Sequence, residues 1–157
     1  MKHDKQYSFE EVLSKLMKYC SYQERSSLEI KQKAISLGAG SNEIIKLIEL
    51  LEEENFYNER RFVESYVRGK LRIKRWGKYK IIEGLRAKGI STNTIEESLA
   101  VVPDESYLRN LRYLVDKRIV SENLKREEVA KHYRYFLSKG YEASLIRIIF
   151  EKKGWMS

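Results

Sequence analysis

The sequence predicts an all-α fold of three tandem three-helix modules, helix-turn-helix-like repeats forming an elongated, curved array. Three observations carry this expectation. Apolar residues recur at helical rather than strand spacing, among many Leu, Glu, Lys and Arg and a single proline in 157 residues. Gly38, Gly89 and Gly140 are each 51 residues apart. An apolar frame repeats with them: Ala34, Leu85 and Phe136 lie four residues before, Ile44, Ile95 and Ile146 six after, and Ile48, Leu99 and Phe150 ten after. A glycine that ends one helix in the left-handed conformation, with matching apolar positions on both sides, marks the same helix pair three times. Each pair follows another amphipathic helix, so the expected modules are residues 1–56, 57–106 and 107–157.

In the first module, Ser8-Phe-Glu-Glu11 has capping-box spacing and predicts a helix start. Phe9, Val12, Leu13, Leu16 and Met17 then form a core-facing stripe. A second helix is expected from about Glu24 to Leu37, and after Gly38-Ala-Gly-Ser41 a third, capped by Ser41, carries Ile44, Ile45, Leu47, Ile48 and Leu51. Its closing Glu52-Glu53-Glu54 sits at the negative end of a helix dipole and reads as a solvated acidic end.

The second module opens on Phe62, Val63, Tyr66, Val67 and Leu71. Lys70-Leu-Arg-Ile-Lys74 alternates as a strand would, but a lone strand among helices has nothing to pair with. It is expected to end a helix that runs into a turn at Trp76-Gly77. Ile81, Ile82 and Leu85 belong to the next helix, Asn93-Thr-Ile-Glu96 has capping-box spacing, and Pro103 is expected to stop the helix carrying Ile95, Leu99 and Val102. In the third module Tyr107, Leu108, Leu111, Leu114 and Val115 lead, and helices from about Arg126 to Ser138 and Tyr141 to Lys153 follow. Trp155 either packs back on this module or serves an interface.

Composition narrows the function classes. The single cysteine, Cys20, rules out an internal disulfide framework and reads as a small core hydrophobe. No apolar run approaches the roughly 18 to 20 residues that cross a bilayer, and Met1-Lys-His-Asp-Lys5 leads into no signal-type segment. A soluble, cytoplasmic chain with no membrane partner is expected. The net charge of +8 is uneven: residues 1–56 hold 8 cations against 10 carboxylates, residues 57–106 hold 11 against 7, and residues 107–157 hold 12 against 6. Such asymmetry suggests that the last two thirds face a polyanion, while the first third faces something else or merely packs.

Catalytic chemistry finds no foothold. A phosphate loop needs Lys followed by Ser or Thr after its glycines, whereas Gly69-Lys70 precedes Leu71 and Gly77-Lys78 precedes Tyr79. His3 and His132 with one cysteine supply neither a zinc site nor a Cys-His pair. His132 matches Ile30 and Ile81 in the repeat frame and reads as a semi-buried structural residue. Adjacent Glu127 and Glu128 point to different helix faces, with nothing else converging on them. No enzyme activity, cofactor or metal is expected.

The stretch Arg68 to Lys80 holds seven Lys or Arg, no acid, and Trp76 and Tyr79. Clustered cations interleaved with aromatic residues suit a phosphate backbone or an acidic protein groove. The alternative is a solvated helix face whose aromatics belong to the core. Because Ile81 and Ile82 take core positions, Lys78 and Lys80 are expected to point outward and the aromatics to act as core wedges.

Residues in and around the turns resemble the RecX family of bacterial recombination regulators from about Phe9 to Phe150. Arg25-Ser26-Ser27-Leu28-Glu29-Ile30 resembles that family's Arg-Ser-x-x-Glu-Leu. Phe62 through Tyr66-Val67, then Gly77, Ile81, Leu85 and Lys88-Gly89-Ile90, follow its most recognisable segment. Gly77-Lys78 departs from the family's frequent Gly-Pro, and the third module matches mainly through Gly140 and the apolar frame.

The resemblance implies a cytoplasmic, non-enzymatic protein that binds the RecA recombinase, lodges in the groove of its filament on single-stranded DNA and limits its activity. With the charge asymmetry, it makes Arg68, Lys70, Arg72, Lys74, Arg75, Lys78 and Lys80, and Lys125, Arg126, Lys131 and Arg134 of the third module, the expected contacts to filament or DNA. A monomer is the default. Two alternatives stay open: a sequence-tolerant DNA-binding module acting without RecA, and a helical scaffold whose charges only keep it soluble.

Overall fold

The computed structural model describes residues 6–157, so His3 lies outside the described residues. Among these the chain forms nine α-helices and no strand. They are α1 (Phe9–Tyr22), α2 (Ser27–Ser36), α3 (Ser41–Glu53), α4 (Glu59–Gly69), α5 (Lys78–Ala87), α6 (Thr92–Ala100), α7 (Asp104–Arg118), α8 (Arg126–Ser138) and α9 (Ala143–Lys152), with a π-helical turn at Lys70–Lys74. No helix among the described residues is long and apolar enough to cross a membrane.

The repeat glycines do what their spacing predicts. Gly38, Gly89 and Gly140 all have positive φ, at 90°, 80° and 95°, where a side chain is disfavoured. In two of the turns the following N–H returns to the helix, Ala39 to the Ala34 carbonyl (3.0 Å) and Tyr141 to that of Phe136 (3.3 Å), satisfying carbonyls that the helix end leaves free. Ala34, Leu85 and Phe136 are fully buried, as are Ile95 and Ile146 within 1 %.

Packing divides the chain into two compact units. One comprises the described residues up to Ser65 together with Lys88–Ile90, the other Tyr66–Ala87 together with Ser91–Ser157. This division differs from the sequence repeat.

In the first unit α1, α2 and α3 all pack on one another. Their core is Val12, Leu16, Cys20, Ile30, Ala34, Ile44, Leu47, Leu51 and Tyr57, with Phe9, Leu13, Met17 and Ile48 half-buried against it. Burial pushes the Cys20 thiol up from its ordinary range, which keeps it an unreactive hydrophobe.

The family-like segments explain themselves here. Ser26 is buried and its Oγ accepts the Glu29 N–H (3.1 Å), capping α2. The Glu29 carboxylate pairs with Lys88 Nζ at 2.8 Å, joining the Arg25–Ile30 segment to the Lys88–Ile90 segment. Arg61 Nε meets the Glu24 carboxylate at 2.6 Å, and its guanidinium also donates to the Asn55 side chain and carbonyl. Glu52, Glu53 and Glu54 are exposed, the solvated acidic end expected of them.

In the second unit the core is Tyr107, Leu111, Val115, Ile119, Val129, Phe136, Tyr141, Ile146, Ile149 and Phe150. Trp155 packs back edge-on against Phe150, 5.3 Å between centroids, and its indole N–H donates to the Glu122 carbonyl.

Several boundaries differ from expectation for local reasons. Gly40, not Ser41, caps α3: the Glu43 carboxylate reaches back to the Gly40 N–H (3.1 Å), so no hydroxyl is needed there. Ser91, not Asn93, caps α6, its Oγ accepting from Thr94 N, because the Gly89 turn delivers the chain two residues earlier than the capping-box spacing suggests. Pro103 does not stop α6, which already ends at Ala100; it caps α7, a position that needs no N–H. Ser26 delays α2 to Ser27, and the Gly140 turn holds Tyr141, so α9 begins at Ala143.

Candidate cationic interface

Every candidate contact residue lies in the second unit. α4 runs straight into the π turn, and the alternating Lys70–Lys74 segment becomes a widened helix end. The turn closes with Arg75 in the left-handed region (φ 51°), its N–H and that of Trp76 (3.0 Å) both directed at the Lys70 carbonyl. A non-glycine residue pays strain in that region, so surrounding contacts must hold it. Leu71 turns into the core, while Arg72, Ile73 and Lys74 are exposed, Ile73 at 78 %.

Those contacts come from α7 and the Gly140 turn. Gly77 N–H donates to the Lys139 carbonyl (2.7 Å) and Tyr79 N–H to that of Gly140 (3.0 Å), an approach so close that a Cβ on Gly77 would overlap the Gly140 carbonyl group. Asn110 Nδ2 donates to the Leu71 carbonyl (2.9 Å), and the buried Tyr141 hydroxyl to that of Arg75 (2.7 Å). The Tyr107 hydroxyl accepts the Lys78 N–H (2.9 Å) and donates to a Glu142 carboxylate oxygen (2.5 Å). Proline at 78 could not make that first bond, which gives the Gly77-Lys78 departure a physical role.

Burial first, and then the hydrogen bond to Glu142, push the Tyr107 hydroxyl far above its ordinary value of 10.0; burial does the same for Tyr141. Both keep their protons in the folded chain at pH values where the unfolded chain loses them. Their contribution is therefore complete below the ordinary tyrosine range and is lost as pH rises above about 10. Tyr107→Phe is expected to cost about 1–3 kcal/mol in urea-unfolding experiments at neutral pH, because the Lys78 N–H and Glu142 are left without the hydroxyl. The same variant should show a shallower loss of stability above pH 10 than the parent.

Four of the seven cations from Arg68 to Lys80 rest on aromatic rings. Lys70 and Lys80 place their ammonium groups 4.5 and 4.6 Å from the Trp76 ring centroid, and Lys70 also lies over Tyr66. Arg75 stacks on Tyr113 at 3.9 Å and Lys78 lies over Tyr107 at 4.7 Å. Trp76 is half-buried between core and cations, but Tyr79 is 63 % exposed, so it is not the core wedge expected of it. Its position two residues before Ile81 turns it outward. Arg68, Arg72 and Lys74 are exposed and, among the described residues, lie over no ring.

The third-module candidates are exposed on or beside α8. Arg126 and Arg134 line a cleft of about 430 Å³ with Val129, Tyr133, Trp155 and Met156, whereas Lys125 and Lys131 stand outside its lining.

Sequence reasoning passed over Tyr113, Lys117, Arg118, Tyr135 and Lys139. Arg118 stacks on Tyr135 at 3.4 Å and donates to His132 Nδ1 (3.2 Å), and Lys117 and Lys139 lie over Tyr113 and Tyr135. Desolvation first, and then the charge of Arg118, lower the affinity of half-buried His132 for a proton. A signal was present: an aromatic residue followed four positions later by lysine, at 66/70, 76/80, 113/117 and 135/139. In a helix such pairs meet, and each cation–ring contact at an exposed site is worth about 0.5–1 kcal/mol.

A family model described as the second three-helix domain of RecX matches residues 58–99, the segment that holds this bend. The chain belongs to the RecX family. It is 29% identical over 134 residues to the regulatory protein RecX of Clostridium botulinum (strain Alaska E43 / Type E3), covering 82% of this chain and 61% of that one. To the regulatory protein RecX of Ralstonia pickettii (strain 12J) it is also 29% identical, over 83% of this chain and 81% of the relative. The crystal structure of RecX from Lactobacillus salivarius superposes with a TM-score of 0.79 at 25% identity, covering 94% of this chain and 97% of that chain. Against the first of these RecX relatives the chain spans about three fifths of the relative's length. The chain thus shares an all-α architecture of three-helix modules with RecX structures.

Proposed function

We propose that this chain is a regulatory protein that binds the RecA recombinase and its filament on single-stranded DNA and limits recombinase and ATPase activity. Membership of a family whose members are named regulatory proteins supports a regulatory role. The observation that carries the reading further is the exposed tip of the π turn, Arg72-Ile73-Lys74. Two free cations suit carboxylates or phosphates. An isoleucine 78 % exposed between them suits a protein surface better than a phosphate backbone, which offers it nothing to bury against. Cations already laid on rings have lost part of their rotamer freedom, so less is lost on binding.

Purified chain added to RecA on single-stranded DNA is expected to lower DNA-dependent ATP hydrolysis and strand exchange at substoichiometric amounts. Unchanged rates would sink the reading. The net charge of +8 favours a second one, sequence-tolerant DNA binding without RecA. In that case affinity for DNA alone should be tight, with log affinity falling against log salt at roughly 0.7 to 0.9 per phosphate neutralised.

A further inference from the structure

The first unit carries a cationic pocket that its acidic balance conceals. Lys15, Lys18, Tyr19 and Tyr22 fall at i, i+3, i+4 and i+7 of α1, one helical face, and with Arg25 and Lys33 they line a cleft of about 300 Å³. No acid lines it. The carboxylates nearest in sequence are engaged elsewhere, Glu11 with the Ser8 N–H, Glu24 with Arg61 and Glu29 with Lys88. Among the described residues no carboxylate pairs with any of the four cations.

The pocket is partly preorganised. Arg25 donates through Nε to the Tyr19 carbonyl (3.0 Å) and stacks on the Tyr19 ring at 3.7 Å, which leaves its terminal nitrogens for a ligand. Lys33 approaches the same ring at 5.6 Å. Tyr22 is 85 % exposed at the edge of the cleft and lies outside the first unit's core, which leaves its ring facing solvent. Four positive charges around one cleft, rather than along a stripe, suit a concentrated anion, and a neighbouring bare ring suits a planar base. The volume is at the lower end for a small-molecule site.

We infer that this pocket binds a nucleoside polyphosphate, its phosphates held by Lys15, Lys18, Arg25 and Lys33 and its base against Tyr22. The site lies in the part of the chain without the candidate interface and does not rest on the RecA reading.

Calorimetric titration of the full chain with ATP, AMP, inorganic triphosphate and a short oligothymidylate, in the absence of RecA, tests it. Saturable ATP binding is expected, tighter than AMP and weakened by salt. Lys18→Glu combined with Lys33→Glu, both exposed positions, should weaken ATP about tenfold or more while circular dichroism stays unchanged. Tyr22→Ala should weaken ATP but not inorganic triphosphate, and Lys152→Glu, on α9, should change neither. The inference is overturned if ATP gives no saturable heat, if the double variant binds it unchanged, or if only the oligothymidylate binds. A negative result here leaves the RecA assay free to succeed, and the reverse holds equally.

Discussion

Gly77→Ala is expected to destabilise the chain by about 3–5 kcal/mol. The added Cβ would overlap the Gly140 carbonyl group and the Tyr141 nitrogen, all backbone, so no side chain can swing away to make room. Relief requires the two turns to separate, and that breaks the bonds from Gly77 N to Lys139 O and from Tyr79 N to Gly140 O. Against the roughly 5–15 kcal/mol that holds a typical domain, such a loss is a large fraction. Urea unfolding measures it. Gly69→Ala is the control: Gly69 has helical backbone angles and open space where its Cβ would go, so the substitution should be neutral or stabilise by up to about 1 kcal/mol. Equal midpoints for Gly77→Ala and the parent would mean that the two glycine turns are not in contact in solution.

Reversing three exposed cations together, Arg68→Glu, Arg72→Glu and Lys74→Glu, is expected to raise the amount of protein needed to inhibit RecA about a hundredfold or more. Each loses a charge-assisted contact worth about 1.5–3 kcal/mol and adds repulsion from the same anion. Stability should change by no more than about 0.5 kcal/mol at each position, since none of the three packs in a core or lies over a ring. Arg75 is deliberately spared. It stacks on Tyr113 and occupies a left-handed backbone position, so its replacement would confound binding with folding. Undiminished inhibition by the folded triple variant would leave these charges as solubility alone. Ile73→Ser adds a finer distinction: contact with a protein predicts weaker inhibition with an unchanged salt dependence, whereas contact with DNA alone predicts no change.

Much of the fold was legible because it depends on local chemistry repeated three times. Gly38, Gly89 and Gly140 each take the conformation that only glycine adopts without strain, and the apolar residues around them are spaced by helix geometry alone. The Ser8 capping box could be read for the same reason: its partners are three residues apart, and both of its hydrogen bonds form. Where neighbouring residues competed for one role, as Gly40 with Ser41 and Ser91 with Asn93, local pattern was ambiguous, and the path of the preceding turn decided which residue capped the helix.

The candidate face was legible as composition but not as architecture. Counting cations from Arg68 to Lys80 located it, yet nothing in that count separates Lys70 and Lys80, laid on Trp76, from Arg72 and Lys74, free in solvent. Tyr79 was misjudged because its neighbours Ile81 and Ile82 suggested a buried surroundings that the helix phase denies it. The pocket between α1 and α2 escaped notice because net charge averages over a segment. Only pairing shows that the acids of that segment are occupied by Arg61 and Lys88.

By itself the sequence determined the helices, the glycine turns, the buried frame and the basic character of the second unit, all consequences of interactions within a few residues. Tertiary structure alone decided that Gly77 lies against Gly140, that Tyr107 bridges Lys78 and Glu142, and which cations remain free. Those partners are between 29 and 63 residues apart, and no periodicity or propensity carries information over that distance. It is set by which surfaces exclude water together, and it leaves Arg72, Ile73 and Lys74 at the surface of the bend.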